Sequence, residues 1–150
     1  MISAQRVRVA AFQMLYGLDA HGASDERALE LLRGSVLEEN QDLEPRELRL
    51  AEKLALAAYE GRGPADALFE SLSPAWPVSR QPAVDRSILR LAYYEMSSGK
   101  APPKVAIDEA VELARRFSTE KSPAFVNALL DAAMRTLAGS AAKDLEPGAC

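Results

Sequence analysis

The sequence predicts an all-α protein, a bundle of about seven helices in two subdomains. Three observations carry that expectation. Apolar residues recur at the 3.6-residue period of a helix face along most of the 150 residues. Period-2 alternation does not persist beyond a few residues, so no sheet is expected. Prolines and most glycines sit at the ends of the periodic stretches rather than inside them. Apolar residues make up 48% of the chain, ample for a buried core, and 27% is charged, a globular balance.

Each element follows from its own pattern. Val7, Ala11, Met14, Leu15 and Leu18 mark one face of a first helix, which Gly22 closes. A second runs from about Asp25 to Glu39 on Ala28, Leu31, Leu32 and Ser35. Asn40 to Pro45 is polar and turn-like, and Pro45 suits the first turn of a third helix. That helix buries Leu48, Ala51, Leu54, Ala55 and Ala58 and ends at Gly61-Arg62-Gly63. A short fourth helix, Pro64 to Leu72, turns Ala67, Leu68 and Leu72 inward.

Pro74, Pro77 and Pro82 then surround Trp76. Three prolines do not fit inside one helix, so this is the clearest boundary in the chain. It separates an N-terminal subdomain of about residues 1–73 from a C-terminal one of about 78–137. Trp76 is expected to plug the junction as a buried indole. The next helix is apolar over most of its circumference (Val84, Ile88, Leu89, Leu91, Ala92, Tyr93, Met96), which marks it as central. Ser97-Ser98-Gly99 ends it and Pro102-Pro103 opens another, with Ile107, Ala110, Val111 and Ala114 inward and Glu112 paired to Arg116. The last helix starts at Ser122-Pro123, read as N-cap and first helical position, and buries Val126, Leu129, Leu130, Ala133 and Leu137. Residues 138–150 read as a flexible tail.

Composition excludes several chemistries. The one cysteine, Cys150, is the last residue and the one histidine, His21, lies beside Gly22 at a helix end. No internal disulfide can form, and soft metal ligands are nearly missing, so no zinc site is expected. His21 reads as a cation near a helix C-terminus rather than a catalytic base. Paired acids such as Glu38-Glu39 and Asp108-Glu109 lack the apolar enclosure that tunes a catalytic carboxyl, and read as solvated faces. No enzymatic activity is expected. No run approaches the ~18 apolar residues of a membrane span, and the first residues lack a secretory signal's apolar stretch, so a cytoplasmic protein without a membrane role is expected.

The net charge of −4 is unevenly placed. Residues 21–60 hold ten acids against five bases, whereas 61–137 hold ten bases and nine acids. The first helix and the C-terminal half are therefore free to meet a polyanion. Arg86 and Arg90, four apart on one face, need a partner. An internal carboxylate is preferred to a phosphate. Arg6, Gln13 and Tyr16 share a flank of the first helix away from its Met14/Leu15/Leu18 stripe. Phe125 lies 100° around from Val126 and borders the core. With Lys121 and the amides of a helix N-terminus beside it, Phe125 reads equally as a packed edge residue or as a base-stacking contact for single-stranded RNA.

Three blocks then carry a resemblance: Val84-Asp-Arg-Ser-Ile-Leu-Arg-Leu-Ala-Tyr-Tyr-Glu95, Pro103-Lys-Val-Ala-Ile-Asp-Glu-Ala-Val-Glu-Leu-Ala114 and Phe125-Val-Asn-Ala-Leu-Leu-Asp131. In order and spacing they resemble the NusB family of bacterial transcription antitermination factors, and Gln13-Met-Leu-Tyr16 is similar to that family's first helix. The resemblance implies an all-α fold of two helical subdomains without catalysis or cofactor. It also implies a small-subunit ribosomal protein partner, NusE, with which boxA-type nascent RNA is bound in the transcription elongation complex of ribosomal RNA operons. By motif position it assigns Arg6, Arg8 and Phe125 to RNA, with Gln13 and Lys121 beside them, and Tyr16 and Asp85 to the protein partner. Ala4 and Gln5 stand where the family often has further arginines, and Lys121 where an acid is common. Weaker, less salt-sensitive RNA binding by the isolated chain follows. Apolar flanks on the first helix also allow a homodimer. Two other readings stay open: a helical protein–protein adaptor with little RNA binding, and the NusB-like targeting domain of a ribosomal RNA methyltransferase.

Overall fold

A computed structural model gives the backbone of residues 1–145 and the side chains of residues 1–140. Among the described residues there are seven α-helices and no strand: α1 (Ala4–His21), α2 (Glu26–Glu39), α3 (Pro45–Glu60), α4 (Arg62–Leu72), α5 (Ala83–Ser97), α6 (Pro103–Phe117) and α7 (Ser122–Leu145), with a 3₁₀ turn at Val78–Arg80 before α5. The all-α expectation holds. Local chemistry sets the helix ends. The Ser3 hydroxyl accepts from the Arg6 N–H at 3.2 Å and the Asp25 carboxylate from the Ala28 N–H at 2.9 Å, each satisfying a free amide of a first turn. Pro45 occupies the first turn of α3 inside a Glu44/Glu47 capping box. Gly22, left-handed at φ 70°, closes α1 directly after His21, where a side chain with a Cβ would be strained.

Helices α1 and α5 are the central pair. α1 packs most extensively on α3 and also covers α5 and α2, while α5 packs against α6 and α7 on its other side. They run antiparallel: Arg8 near the start of α1 meets Glu95 near the end of α5, and Asp19 near the end of α1 meets Arg86 and Arg90. Because three helices cover it, α1 buries Val9, Ala10 and Phe12 as well as the expected stripe, and Val7 is only half-buried. One apolar cluster runs from Val9 to Ala133 without a break.

The structure rotates two predicted faces. α2 buries Ala28, Leu29, Leu32 and Val36, whereas Leu31 and Ser35 are exposed. Both sets fit helical spacing. Contact decides, because α2 approaches α1 at Gly17, where an added Cβ would lie 2.2 Å from the Leu32 side chain. α4 starts at Arg62 rather than Pro64 and buries Ala65 and Phe69, leaving Ala67 exposed and Leu68 and Leu72 half-buried. Phe69 meets Tyr93 of α5 edge-on at 6.0 Å, a favourable aromatic geometry that anchors the short helix. The faces expected for α6 and α7 are inward, with Val111 and Leu137 at their margins. α7 continues to Leu145, so residues 138–145 are helical rather than tail. The rest of that predicted tail, with Cys150, lies outside the described residues.

Candidate nucleic-acid interface

Buried ion pairs decide which cations are left facing outward. Glu47 of α3 is fully buried and accepts the Ser3 N–H at 2.7 Å, the Glu44 N–H at 3.0 Å and the Arg6 Nε at 3.1 Å. The backbone N–H groups of Glu44 and Ser3, followed by Arg6, hold its carboxyl down at about 2. This carboxylate ties the start of α1 to α3. Arg6 is thus anchored by one edge of its guanidinium, and its side chain stays 44% exposed.

Arg8 is different. Its Nε and Nη2 donate to the two carboxylate oxygens of buried Glu95 at 3.0 and 2.8 Å, and its Nη1 lies 3.7 Å from Glu109. The hydrogen bond to Glu95 outweighs burial and holds the guanidinium firmly protonated, above its ordinary range. Arg8 is therefore committed inward, contrary to its assignment to RNA from motif position. The reason is that two acids of α5 and α6 already occupy its donor fork.

Arg86 and Arg90 have the internal carboxylates expected of them. Arg90 is buried and pairs with Asp66 of α4 at 2.6 Å and Asp19 at 2.9 Å, and Arg86 pairs with Asp19 at 2.6 Å. Arg86 also donates to the carbonyls of Val78 and Gln81, fixing the 3₁₀ turn against α5. For Asp19, burial pulls the pKa upward, but bonds from Arg86 and Arg90 win and hold it below the ordinary range.

Asp85 corrects a second expectation. It is buried, its oxygens accepting the Ser118 hydroxyl at 2.5 Å and the Ser122 hydroxyl at 2.9 Å. It cannot touch a partner from there; instead it fastens the α6–α7 junction to α5. Ser122, whose hydroxyl is turned to Asp85, is itself the first residue of α7 rather than its cap. The Lys121 carbonyl accepts the Phe125 N–H at 3.3 Å and opens the helix one residue earlier than predicted.

Above this anchored turn the surface is aromatic, with exposed Glu120 and Lys121 side by side at its edge. Phe125 is half-buried, and its ring centroid lies 4.5 Å from that of Trp76. Trp76 is 37% exposed rather than plugging the core, and Val78 takes the buried place two residues later. Lys121 is exposed and has no ion pair among the described residues. Gln13 accepts from Asn40 Nδ2 at 2.6 Å, and Tyr16, 42% exposed, lines an open groove of about 390 Å³ with Phe12, Leu32, Val84 and Phe117.

The predicted RNA residues do not converge on one pocket. Arg6 and Arg8 lie toward the Glu95 end of α5 and Lys121 and Phe125 toward its Asp85 end, ten residues or about 15 Å apart along the axis. Sequence reasoning missed Arg116. Glu112 pairs with Arg115 instead, leaving Arg116 exposed with no ion pair among the described residues. It lines a groove of about 340 Å³ with Gln5 and Arg6, and with Glu39 and Asp42. Two adjacent arginines compete for one acid on a helix turn, and spacing alone does not say which wins. No group of three or more His, Cys, Asp or Glu able to hold a metal occurs among the described residues.

The NusB family model matches residues 5–135. The chain belongs to the NusB family. It is 39% identical over 128 residues to the transcription antitermination protein NusB of Roseiflexus castenholzii, covering 83% of this chain and 87% of that one. Its fold is similar to that of Thermotoga maritima NusB, with a TM-score of 0.73 and 32% identity over 90% of this chain and 93% of that one. It is also similar, at a TM-score of 0.73 and 27% identity over 88% of this chain and 96% of the other, to a chain in a crystal structure of antitermination factors NusB and NusE in complex with double-stranded RNA. Membership in this family makes the chain a non-enzymatic transcription antitermination factor.

Proposed function

We propose that this NusB-family chain works as the RNA-binding subunit of an antitermination complex. It takes up boxA-type single-stranded RNA together with a small-subunit ribosomal protein, NusE, on cytoplasmic transcription elongation complexes of ribosomal RNA operons. The observation that carries the reading is the start of α7. A half-buried Phe125 and an exposed Lys121, without an ion pair among the described residues, sit together on a turn that Asp85 holds rigid from below. A base can stack on the ring while the lysine meets phosphate. Arg6, with Gln13 further along α1, and Arg116 extend the track toward the other end of α5, while Arg8 supports it from inside. A chain of similar fold has been crystallised with NusE and double-stranded RNA, which supports the pairing with NusE here.

Tyr16 and its apolar groove between α1 and α2 are the surface offered to the ribosomal protein. Self-association of two copies over the same flank of α1 would compete with that partner. With few outward cations along this track, the chain alone binds RNA weakly and gains affinity when the partner is present. Titrating a labelled boxA-type RNA with and without the ribosomal protein tests this. Phe125→Ala should weaken binding by ~1–3 kcal/mol with the fold intact. Equal affinity with and without partner, together with an unaffected Phe125→Ala variant, would sink the proposal and favour a protein-only adaptor.

A further inference from the structure

We infer that Trp76 is a second base-stacking residue, so that the RNA surface is a two-ring platform of Trp76 and Phe125 rather than a single aromatic. The inference rests on the RNA-binding reading above and adds a residue and a ligand class to it: an unpaired nucleobase seated against the indole.

Three observations converge. First, an indole left 37% exposed is unusual in a connection that has a buried position available two residues later, at Val78. Packing alone would place the larger apolar group inward. Second, the backbone around the indole is built rather than loose. The Trp76 N–H donates to the Ser73 carbonyl at 3.0 Å across a turn with Pro74 at its second position, and the Gln81 Nε2 donates to the Trp76 carbonyl at 3.3 Å. Pro77 fixes the following φ, and Arg86 clamps the Gln81 carbonyl. A ring presented from a held backbone loses little freedom when a ligand covers it. Third, the rings of Trp76 and Phe125 meet at 4.5 Å but are tilted by 55°, so Phe125 does not lie in parallel stacking on the indole. Two exposed cations lie close in sequence, Lys121 four residues before Phe125 and Arg80 four residues after Trp76, neither in an ion pair among the described residues, with the acid Glu120 next to Lys121. That combination suits a base with its phosphate and not an apolar peptide.

Trp76 is the chain's one tryptophan, so its emission reports this site alone. The chain is titrated with a short single-stranded RNA while tryptophan emission is followed, and in parallel with the same RNA end-labelled for anisotropy. Emission should be quenched with the anisotropy midpoint. Trp76→Ala should weaken binding by about five-fold to a hundred-fold, and Trp76→Phe by much less. Stacking releases no counterions, so the slope of affinity against salt should be the same in all three proteins. A base seated on Phe125 alone could also move the emission, so the deciding result is the affinity: a merely structural role for Trp76 would leave Trp76→Phe as weak as Trp76→Ala, or both at the wild-type value. Anisotropy that rises while emission stays unchanged overturns the Trp76 inference and leaves RNA binding intact. Emission moved by the ribosomal protein but not by RNA overturns it in favour of a protein contact. No anisotropy change, with or without partner, overturns the RNA reading and this inference together.

Discussion

The two ends of α5 use buried carboxylates for opposite purposes. At the C-terminal end, Glu95 draws Arg8 into a two-bond pair, and a cation offered by the first helix is turned inward. At the N-terminal end, Asp85 is just as buried, but it holds the hydroxyls of Ser118 and Ser122, and so fixes a turn whose other side chains face out. One end consumes a basic residue; the other displays Phe125, Trp76 and Lys121. The lesson is that a count of charges measures what a segment contains, whereas the placement of buried counter-charges determines what is left for a partner.

Several substitutions would break or sharpen that contrast. The largest effect is expected midway along α5. Arg90→Ala leaves Asp19 and Asp66 without their shared cation and should cost about 3 kcal/mol, discounted because both acids are partly exposed. A fall in the urea midpoint at constant m measures it, and a loss below about 1 kcal/mol would reduce the network to ordinary surface pairs. Asp85→Ala should cost about 2 kcal/mol by removing the buried charged acceptor shared by Ser118 and Ser122, whose hydroxyls keep only each other and Thr119 as partners. Its distinguishing mark is local. Hydrogen exchange should quicken at the amides of Phe125 and Val126 while the Arg8–Glu95 end stays protected.

Arg8→Ala comes next, at about 1.5 kcal/mol for the loss of a charge-assisted pair, read from the same urea curves. The smallest effect is confined to acid. Glu47 has its carboxyl near 2 when folded against an ordinary 4.5, so its stabilisation is complete above about 4.5 and disappears as pH falls toward 2. Glu47→Gln should therefore flatten the acid limb of stability against pH in that window. An unchanged acid limb would show that Glu47 does not anchor the start of α1.

Much of this was legible in the sequence. Seven helices, their caps at Gly22, Pro45 and Gly99, and the central character of α5 follow from spacing and turn chemistry, which are local properties. The need of Arg86 and Arg90 for internal acids was legible too, because two like charges on one helix face require a neutralising neighbour. What stayed hidden depends on which helix lies opposite. The face of α2 is set by Leu32 against Gly17, the inward turn of Arg8 by Glu95 eighty-seven residues away, and the burial of Asp85 by serines across the α6–α7 junction. Trp76 was misread for a related reason. Its size argues for burial, but the three prolines around it commit the backbone first, and Val78 is the residue that reaches the core.

The salt dependence of RNA affinity, compared between the wild-type chain, Lys121→Gln and Arg8→Gln, tests the difference between the two ends most directly. Losing one outward phosphate contact should lower the log–log slope by about 0.7 in Lys121→Gln. Arg8→Gln, folded and compared under the same conditions, should keep the wild-type slope. A slope that drops for Arg8→Gln and holds for Lys121→Gln would contradict the assignment of inward and outward charge made here.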